Sequence, residues 1–306
     1  MALLLILPPK RARYLVDSLR RFNPDLDIRV WPKTGEKKDI RFAVTWNHPP
    51  GSLSGLTRLK AVSSFGAGVD HLLRDPQLPD VPITRVIYDD LSDEIAEFVT
   101  AVILNHKRNL FHHFQEQKSG RWSPLARKPM HSVGILGLGT LGKSAARRLA
   151  AAGFNVSGWS RTQHAIPNVA CYSGEDGLYK LLPHAHFLVC MLPLTPKTVG
   201  ILNTRVFEQL PDGAYLINTG RGQHLAEADF LAALDSGKLE GACLDVFEQE
   251  PLPADHPYWN HPKIFITPHI AGITDPDSAA VQIAKNYHRL MKGLPLINRI
   301  NRQAGY

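Results

Sequence analysis

The chain has 306 residues, 44% of them hydrophobic and 21% charged, with a formal net charge of +7. This is an ordinary globular composition, long for one core and comfortable for two. Three cysteines without C-x-x-C spacing argue against a disulfide framework or a zinc site, and the 14 histidines show no paired metal-binding spacing.

The basic residues are scattered, in doublets such as Lys37-Lys38 and Arg147-Arg148. No nucleic-acid partner is expected, whereas a positive field suits small anionic ligands. The opening apolar run Ala2–Leu7 is too short for a membrane span, follows no basic region and meets two prolines. It predicts a buried first strand, no membrane partner and a cytoplasmic protein. Strand patterns fall at Leu3–Leu7, which is this first strand, and at Ile28–Trp31, Phe42–Trp46, Ala61–Phe65 and Ile83–Val86. Between the first pair, Tyr14, Leu15, Leu19 and Phe22 have helical spacing. This is a β/α pattern with a parallel sheet.

From Ser92, read as an N-cap with acids in the first turn, one long helix is predicted toward Gly120. Its apolar residues cover more than one face, so it is expected to pack on several sides. A second β/α series follows: strand HSVGILGLG, helix TLGKSAARRLAAAG and strand FNVSGWS, then strands HFLVCML, GAYLIN, GACLDVF and KIFIT. A last helix is predicted over about Asp277–Lys292. The fold class is α/β, with two doubly wound parallel-sheet domains.

Gly137-Leu138-Gly139-Thr140-Leu141-Gly142 matches G-x-G-x-x-G between an apolar strand and an Ala-rich helix. In that context the first glycine makes the tight turn, the second admits a pyrophosphate and the third permits close helix packing. The helix N-terminus adds N–H donors for the anion. At the end of the next strand, where NAD-binding folds keep an acid for the ribose 2′-hydroxyl, stand Ser160 and Arg161. Serine and arginine suit a 2′-phosphate, so NADPH is the expected cofactor and NADH a weaker alternative. The other reading of Arg161 is a solvated surface residue beside an NAD-tolerant site.

Arg221 follows GAYLIN, Glu250 follows GACLDVF and His269 follows KIFIT, each in a turn-rich segment. Ligands in such sheets bind beyond the carboxyl ends of strands. Reducing a 2-oxo acid needs a hydride at the carbonyl carbon and a proton at its oxygen. Histidine is a natural donor of that proton, a neighbouring carboxylate favours its charged form, and arginine can grip the substrate carboxylate. On these grounds alone Glu248 competes with Glu250, and each residue also has a purely structural reading.

Taken together, GILGLGTLG, INTGRG, LDVFEQEPLP and TPHIAG occur in an order and spacing that resemble the D-isomer-specific 2-hydroxyacid dehydrogenase family, over nearly the whole chain. FGAGVDHLL, GWSR, LPDGAYLIN and EADFLAALDSGKLEGACLDVF are most similar to the family's glyoxylate and hydroxypyruvate reductases. The resemblance implies a Rossmann-type cofactor domain at residues 92–275 and a smaller discontinuous substrate domain at 1–91 and 276–306, with the active site in a cleft that closes. It implies that Arg221 binds substrate, that Glu250, which immediately precedes a proline, orients His269, and that His269 is the acid/base. Arg221 and His269 would meet both substrate and cofactor. Leu192, Pro193, Thr198, Thr219, Gly220 and Asp245 would join the glycine turn, Ser160 and Arg161 around the cofactor. The turn Gly66-Ala67-Gly68-Val69 would offer backbone N–H groups to the substrate carboxylate. Trp46 would close over the substrate, or else simply pack on the core. The resemblance also implies a homodimer joined through the helix that starts near Ser92. A nucleotide-sensing interaction protein of the same fold, or a dehydrogenase of another 2-hydroxy acid, is the alternative.

Overall fold

Along the first strand, β1 (Ala2–Ile6), successive side chains enter two different cores. Leu3 and Leu5 join Leu15, Leu19 and Phe42, while Ala2, Leu4 and Ile6 join Leu53, Leu72 and Ile83. A strand buried on both faces needs apolar residues at every position, because its side chains alternate. The structure, a computed structural model, describes residues 1–306. It divides into two units, Met1–Asp89 with Thr274–Tyr306, and Asp90–Ile273.

In the first unit β2 (Asp27–Val30), β3 (Ile40–Thr45), β4 (Ala61–Ser64) and β5 (Ile83–Arg85) join β1 in a wholly parallel sheet of order β2-β1-β3-β4-β5. α1 (Pro9–Phe22) and the C-terminal helix α9 (Pro276–Met291) pack together on one face, where Leu15 and Leu19 meet Ala279, Ala280 and Ile283. Asp275 caps α9 by accepting the Ser278 N–H at 2.8 Å, and Pro276 follows at the first helical position. The buried Asn286 ties the helix to the chain that follows, donating to the Ile297 carbonyl at 3.0 Å and accepting its N–H at 2.8 Å. α2 (Asp70–Leu73) is a short turn beyond β4.

The second unit opens with α3 (Asp89–Lys107) and α4 (Leu110–Lys118). The single long helix expected from Ser92 is therefore two. Ser92 lies inside α3 and is buried, so it is no N-cap. The break falls at Asn109, whose φ of 55° leaves the helical region, and whose side chain donates to the Ala126 carbonyl at 2.8 Å. Then come β6 (Ser132–Leu136), α5 (Thr140–Ala151), β7 (Asn155–Ser160), β8 (Val169–Ser173), α6 (Gly174–Leu181), β9 (Phe187–Cys190), α7 (Thr204–Glu208), β10 (Ala214–Asn218), α8 (Glu227–Asp235), β11 (Leu239–Leu244) and β12 (Ile264–Ile266). The seven strands are parallel in the order β12-β11-β10-β9-β6-β7-β8. The chain starts at β6, runs outward through β7 and β8, then returns to β9 on the other side. That reversal is the switch point of a doubly wound sheet, beside which ligands bind. β8 was not foreseen: its run Val169–Tyr172 is short, and as an edge strand it is only partly buried. No helix is long and apolar enough to cross a membrane.

Candidate active site

Three neighbouring strands deliver three charged side chains. Arg221, Glu250 and His269 lie in the segments that leave the carboxyl ends of β10, β11 and β12. The Glu250 carboxylate accepts the Nδ1 hydrogen of His269 at 2.7 Å through Oε2, and the Phe247 N–H at 3.0 Å through Oε1. Burial raises the affinity of Glu250 for a proton. The hydrogen bonds from His269 and Phe247, with the charges of His269 and Arg221, outweigh burial and hold the carboxyl below its ordinary value. With Nδ1 engaged, Nε2 of His269 is the nitrogen left for a substrate.

The backbone around His269 is tightly specified. His269 has a φ of 55°, a left-handed conformation rare for a residue with a side chain. Asp245, buried at the end of β11, holds that turn. Its Oδ1 accepts the Thr267 hydroxyl at 2.6 Å and the Ile270 N–H at 2.8 Å, and its Oδ2 accepts the Ala271 N–H at 3.0 Å. The His269 N–H itself donates to the Asp245 carbonyl at 2.9 Å. Burial pushes the Asp245 carboxyl up, and those donors together with the His269 charge offset it only in part. Asp245 was expected around the cofactor. Its carboxylate accepts three donors from the turn that carries His269.

Arg221 is set in a second rigid turn. Gly222 beside it packs so closely on the Phe247–Glu248 backbone that a Cβ there would lie 1.9 Å from the Phe247 carbonyl carbon. Only glycine lets the two segments meet. The buried Asn218 donates to the Arg221 carbonyl at 3.0 Å and accepts the Gly220 N–H at 3.1 Å. The buried His224 accepts the Arg221 N–H at 3.0 Å. Neither Asn218 nor His224 was singled out from sequence. The available signal was a polar residue closing an apolar strand, and a histidine three positions past the arginine.

The glycine turn lies beyond β6, next to the switch point. A Cβ on Gly142 would fall 1.8 Å from the Gly137 carbonyl oxygen, so α5 could not start so close to its strand with any other residue. A Cβ on Gly139 would meet nothing within 4 Å. That open position, at the exposed N-terminal end of α5, fits a phosphate-bearing group approaching N–H donors. Leu138 is fully buried, and its side chain packs where a Cβ on Gly158 would go, so only its backbone could face a ligand. Thr140 is exposed and Leu141 half-buried. At the end of β7 Arg161 is exposed, while the Ser160 hydroxyl donates to the Thr162 carbonyl at 2.7 Å. In this conformation the serine proton is spent on the backbone rather than offered outward. After β9, Leu192 is buried and the Thr198 hydroxyl donates to the Pro193 carbonyl at 2.7 Å. The Thr219 hydroxyl donates to the Cys190 carbonyl at 3.3 Å.

The remaining expected residues belong to the first unit. The Ser64 hydroxyl donates to the Gly68 carbonyl at 2.7 Å and lies 3.3 Å from the Gly66 N–H, drawing the turn around itself. His71 Nε2, 3.1 Å from that hydroxyl oxygen, is then the donor to it. The N–H groups of Ala67, Gly68 and Val69 find no acceptor within the protein. The ring of Trp46 leans on His71, with centroids 4.9 Å apart, and lies where a Cβ on Gly66 would go. Trp46 therefore packs against the unit's own side chains.

Comparison with known proteins places this geometry. Residues 100–271 match the family model described as D-isomer specific 2-hydroxyacid dehydrogenase, NAD binding domain. The chain is similar to a D-isomer specific 2-hydroxyacid dehydrogenase from Xanthobacter autotrophicus Py2, solved in complex with NADPH and MES (38% identity over 100% of this chain and 99% of that one, TM-score 0.94). It is also similar to an NADPH-dependent glyoxylate/hydroxypyruvate reductase from Sinorhizobium meliloti, solved with NADP and sulfate (37% identity, 100% and 99% coverage, TM-score 0.93). A probable 2-hydroxyacid dehydrogenase from Rhizobium etli CFN 42, solved with NADP, HEPES and L(+)-tartaric acid, shares 34% identity over 100% and 99% of the two chains, with a TM-score of 0.90. With a site of this construction and likeness along its entire length, the chain belongs to the D-isomer specific 2-hydroxyacid dehydrogenase family.

Proposed function

We propose that the protein is an NADPH-preferring reductase of small 2-oxo acids, converting glyoxylate to glycolate and hydroxypyruvate to glycerate. The observation that carries this is the Glu250–His269 pair, 2.7 Å apart, in the loops beyond β11 and β12, with Arg221 in the loop beyond the adjacent β10. NADPH or NADP found in three family structures supports the cofactor, and the Sinorhizobium meliloti enzyme supports the substrates. Bound along the turn Gly137–Gly142, at Arg161 and near Leu192, Pro193, Thr198, Thr219 and Gly220, NADPH supplies the hydride to the carbonyl carbon.

The chain's own residues do the rest. Arg221 holds the substrate carboxylate with its planar guanidinium and steadies negative charge growing on the carbonyl oxygen. His269 delivers the proton to that oxygen from Nε2, while Glu250 receives Nδ1–H and stabilises the charged ring before transfer. In the first unit, Ala67, Gly68 and Val69 contribute N–H donors for a carboxylate, and Trp46 contributes an aromatic wall. Replacing His269 by Ala is expected to lower the rate of NADPH oxidation by glyoxylate about a hundredfold to ten-thousandfold, with NADPH affinity close to that of the parent. Near-parental turnover would remove His269 from the proton-transfer role.

Arg161 is the residue assigned to the NADPH 2′-phosphate. Such charge-assisted contacts contribute roughly 1.5–3 kcal/mol. Arg161→Ala is therefore expected to raise the KM for NADPH about tenfold to a hundredfold and to leave that for NADH nearly unchanged. Equal effects on both cofactors would return Arg161 to a general surface role.

The protein is further proposed to act as a homodimer. Leu110, Phe114, Leu125 and Trp122, the last 97% exposed, lie on α4 and the segment after it. Large apolar side chains gathered on one stretch of surface are the usual mark of a protein interface. Light scattering is expected to give twice the chain mass, and Phe114→Glu to shift it toward the single chain. A parent protein of single-chain mass would refute the dimer.

A further inference from the structure

Arg221 can grip a carboxylate only if its backbone is fixed, and a buried histidine outside the assigned set does much of that fixing. His224 is 0% exposed. Its Nδ1 accepts the Arg221 N–H at 3.0 Å. A nitrogen that accepts a backbone hydrogen carries no proton of its own, so the ring hydrogen is on Nε2. Nε2 lies 3.4 Å from the carbonyl oxygen of Pro193, in the loop that leaves β9. One imidazole thus bridges the segment after β10 to the segment after β9.

The surroundings leave this ring little freedom. A Cβ on Gly220 would sit 2.8 Å from Nδ1, so the chain just before Arg221 lies flat against the imidazole. The backbone on either side of the ring is held as well: the Leu202 N–H donates to the His224 carbonyl at 2.9 Å, and the Gly200 N–H to that of Gln223 at 2.9 Å. With Asn218 donating to the Arg221 carbonyl, both backbone polar groups of Arg221 end on buried side chains. A turn held only by solvent would sample many guanidinium positions, and misplacement by about 1 Å can cost a hundredfold in rate.

We propose that His224 is a positioning residue for substrate reduction, acting through the backbone of Arg221 by way of its Nδ1 acceptor. This rests on the assignment of Arg221 to the substrate. Three substitutions separate the possibilities. His224→Asn places an amide oxygen on Cγ, where the imidazole carries Nδ1, and keeps an acceptor for the Arg221 N–H. His224→Gln puts its polar atoms one bond further out, near Nε2, and loses that acceptor. Arg221→Lys removes the guanidinium through which His224 is proposed to act.

The experiment is steady-state reduction of glyoxylate by NADPH, with NADPH affinity followed separately by nicotinamide fluorescence. His224→Gln is expected to lower kcat/KM for glyoxylate about tenfold to a hundredfold while NADPH affinity stays within about threefold. His224→Asn is expected to recover most of that loss. In the Arg221→Lys background, which is itself impaired, His224→Gln is expected to cost less than about threefold, because two residues acting through one group are not additive. An Asn variant no better than the Gln variant, or a Gln effect of full size in both backgrounds, would overturn the proposal and leave His224 a packing residue. An Arg221→Lys enzyme indistinguishable from the parent would overturn the assignment of Arg221 itself.

Discussion

The proposed chemistry rests on one hydrogen bond, between Nδ1 of His269 and the Glu250 carboxylate. It joins segments leaving two neighbouring strands, and it decides which imidazole nitrogen is left for chemistry. Alone, a half-exposed ion pair between loops would contribute little and would not hold a fixed geometry. Here the loops themselves are specified. Asp245 gathers Thr267, Ile270 and Ala271, and Gly222 brings the arginine turn against the backbone that leads to Glu250. The pair is held in place by buried polar groups, each of which finds its partners in the chain.

The same device recurs around the sheet edge. Asn218, at the end of β10, binds the turn of Arg221, as Asp245, just past β11, binds the turn of His269. Leaving such a group unsatisfied in the interior costs about 1–3 kcal/mol, so each carboxylate or amide fixes its loop as firmly as packing would. In the first unit the Ser64 hydroxyl plays the equivalent part for the turn from Gly66 to Val69. A strand-end polar side chain that organises the following loop is how this fold converts a rigid sheet into a precise site.

Much of this was legible in the sequence. The doubly wound class followed from alternating apolar runs and helical patterns, and the candidate residues from their position just after those runs. The glycine turn was readable because its three glycines have separate steric reasons, two of which the packing at Gly142 and the open space at Gly139 display. Less legible were features that depend on which strands become neighbours. Nothing local in RGQH says that the histidine faces back to its own arginine, or that Asp245 serves a turn some two dozen residues later. The helix break at Asn109 was hidden for a different reason: the apolar spacing continues across it, and only a left-handed residue with its amide tied to Ala126 interrupts the backbone. β8 escaped because its apolar run, Val169–Tyr172, is short and only partly buried at the sheet edge.

The most direct measurement is single-turnover reduction of glyoxylate by bound NADPH in the parent protein and in Glu250→Gln. Glutamine keeps the size of the side chain and one oxygen that can accept the Nδ1 hydrogen, and removes the charge together with the second acceptor, which takes the Phe247 N–H. The expected result is a slower hydride-transfer step, by about tenfold or more, with NADPH binding unchanged. A Glu250→Gln protein that reduces glyoxylate at the parental rate would contradict the assignment of Glu250 and His269 as the paired groups that protonate the substrate.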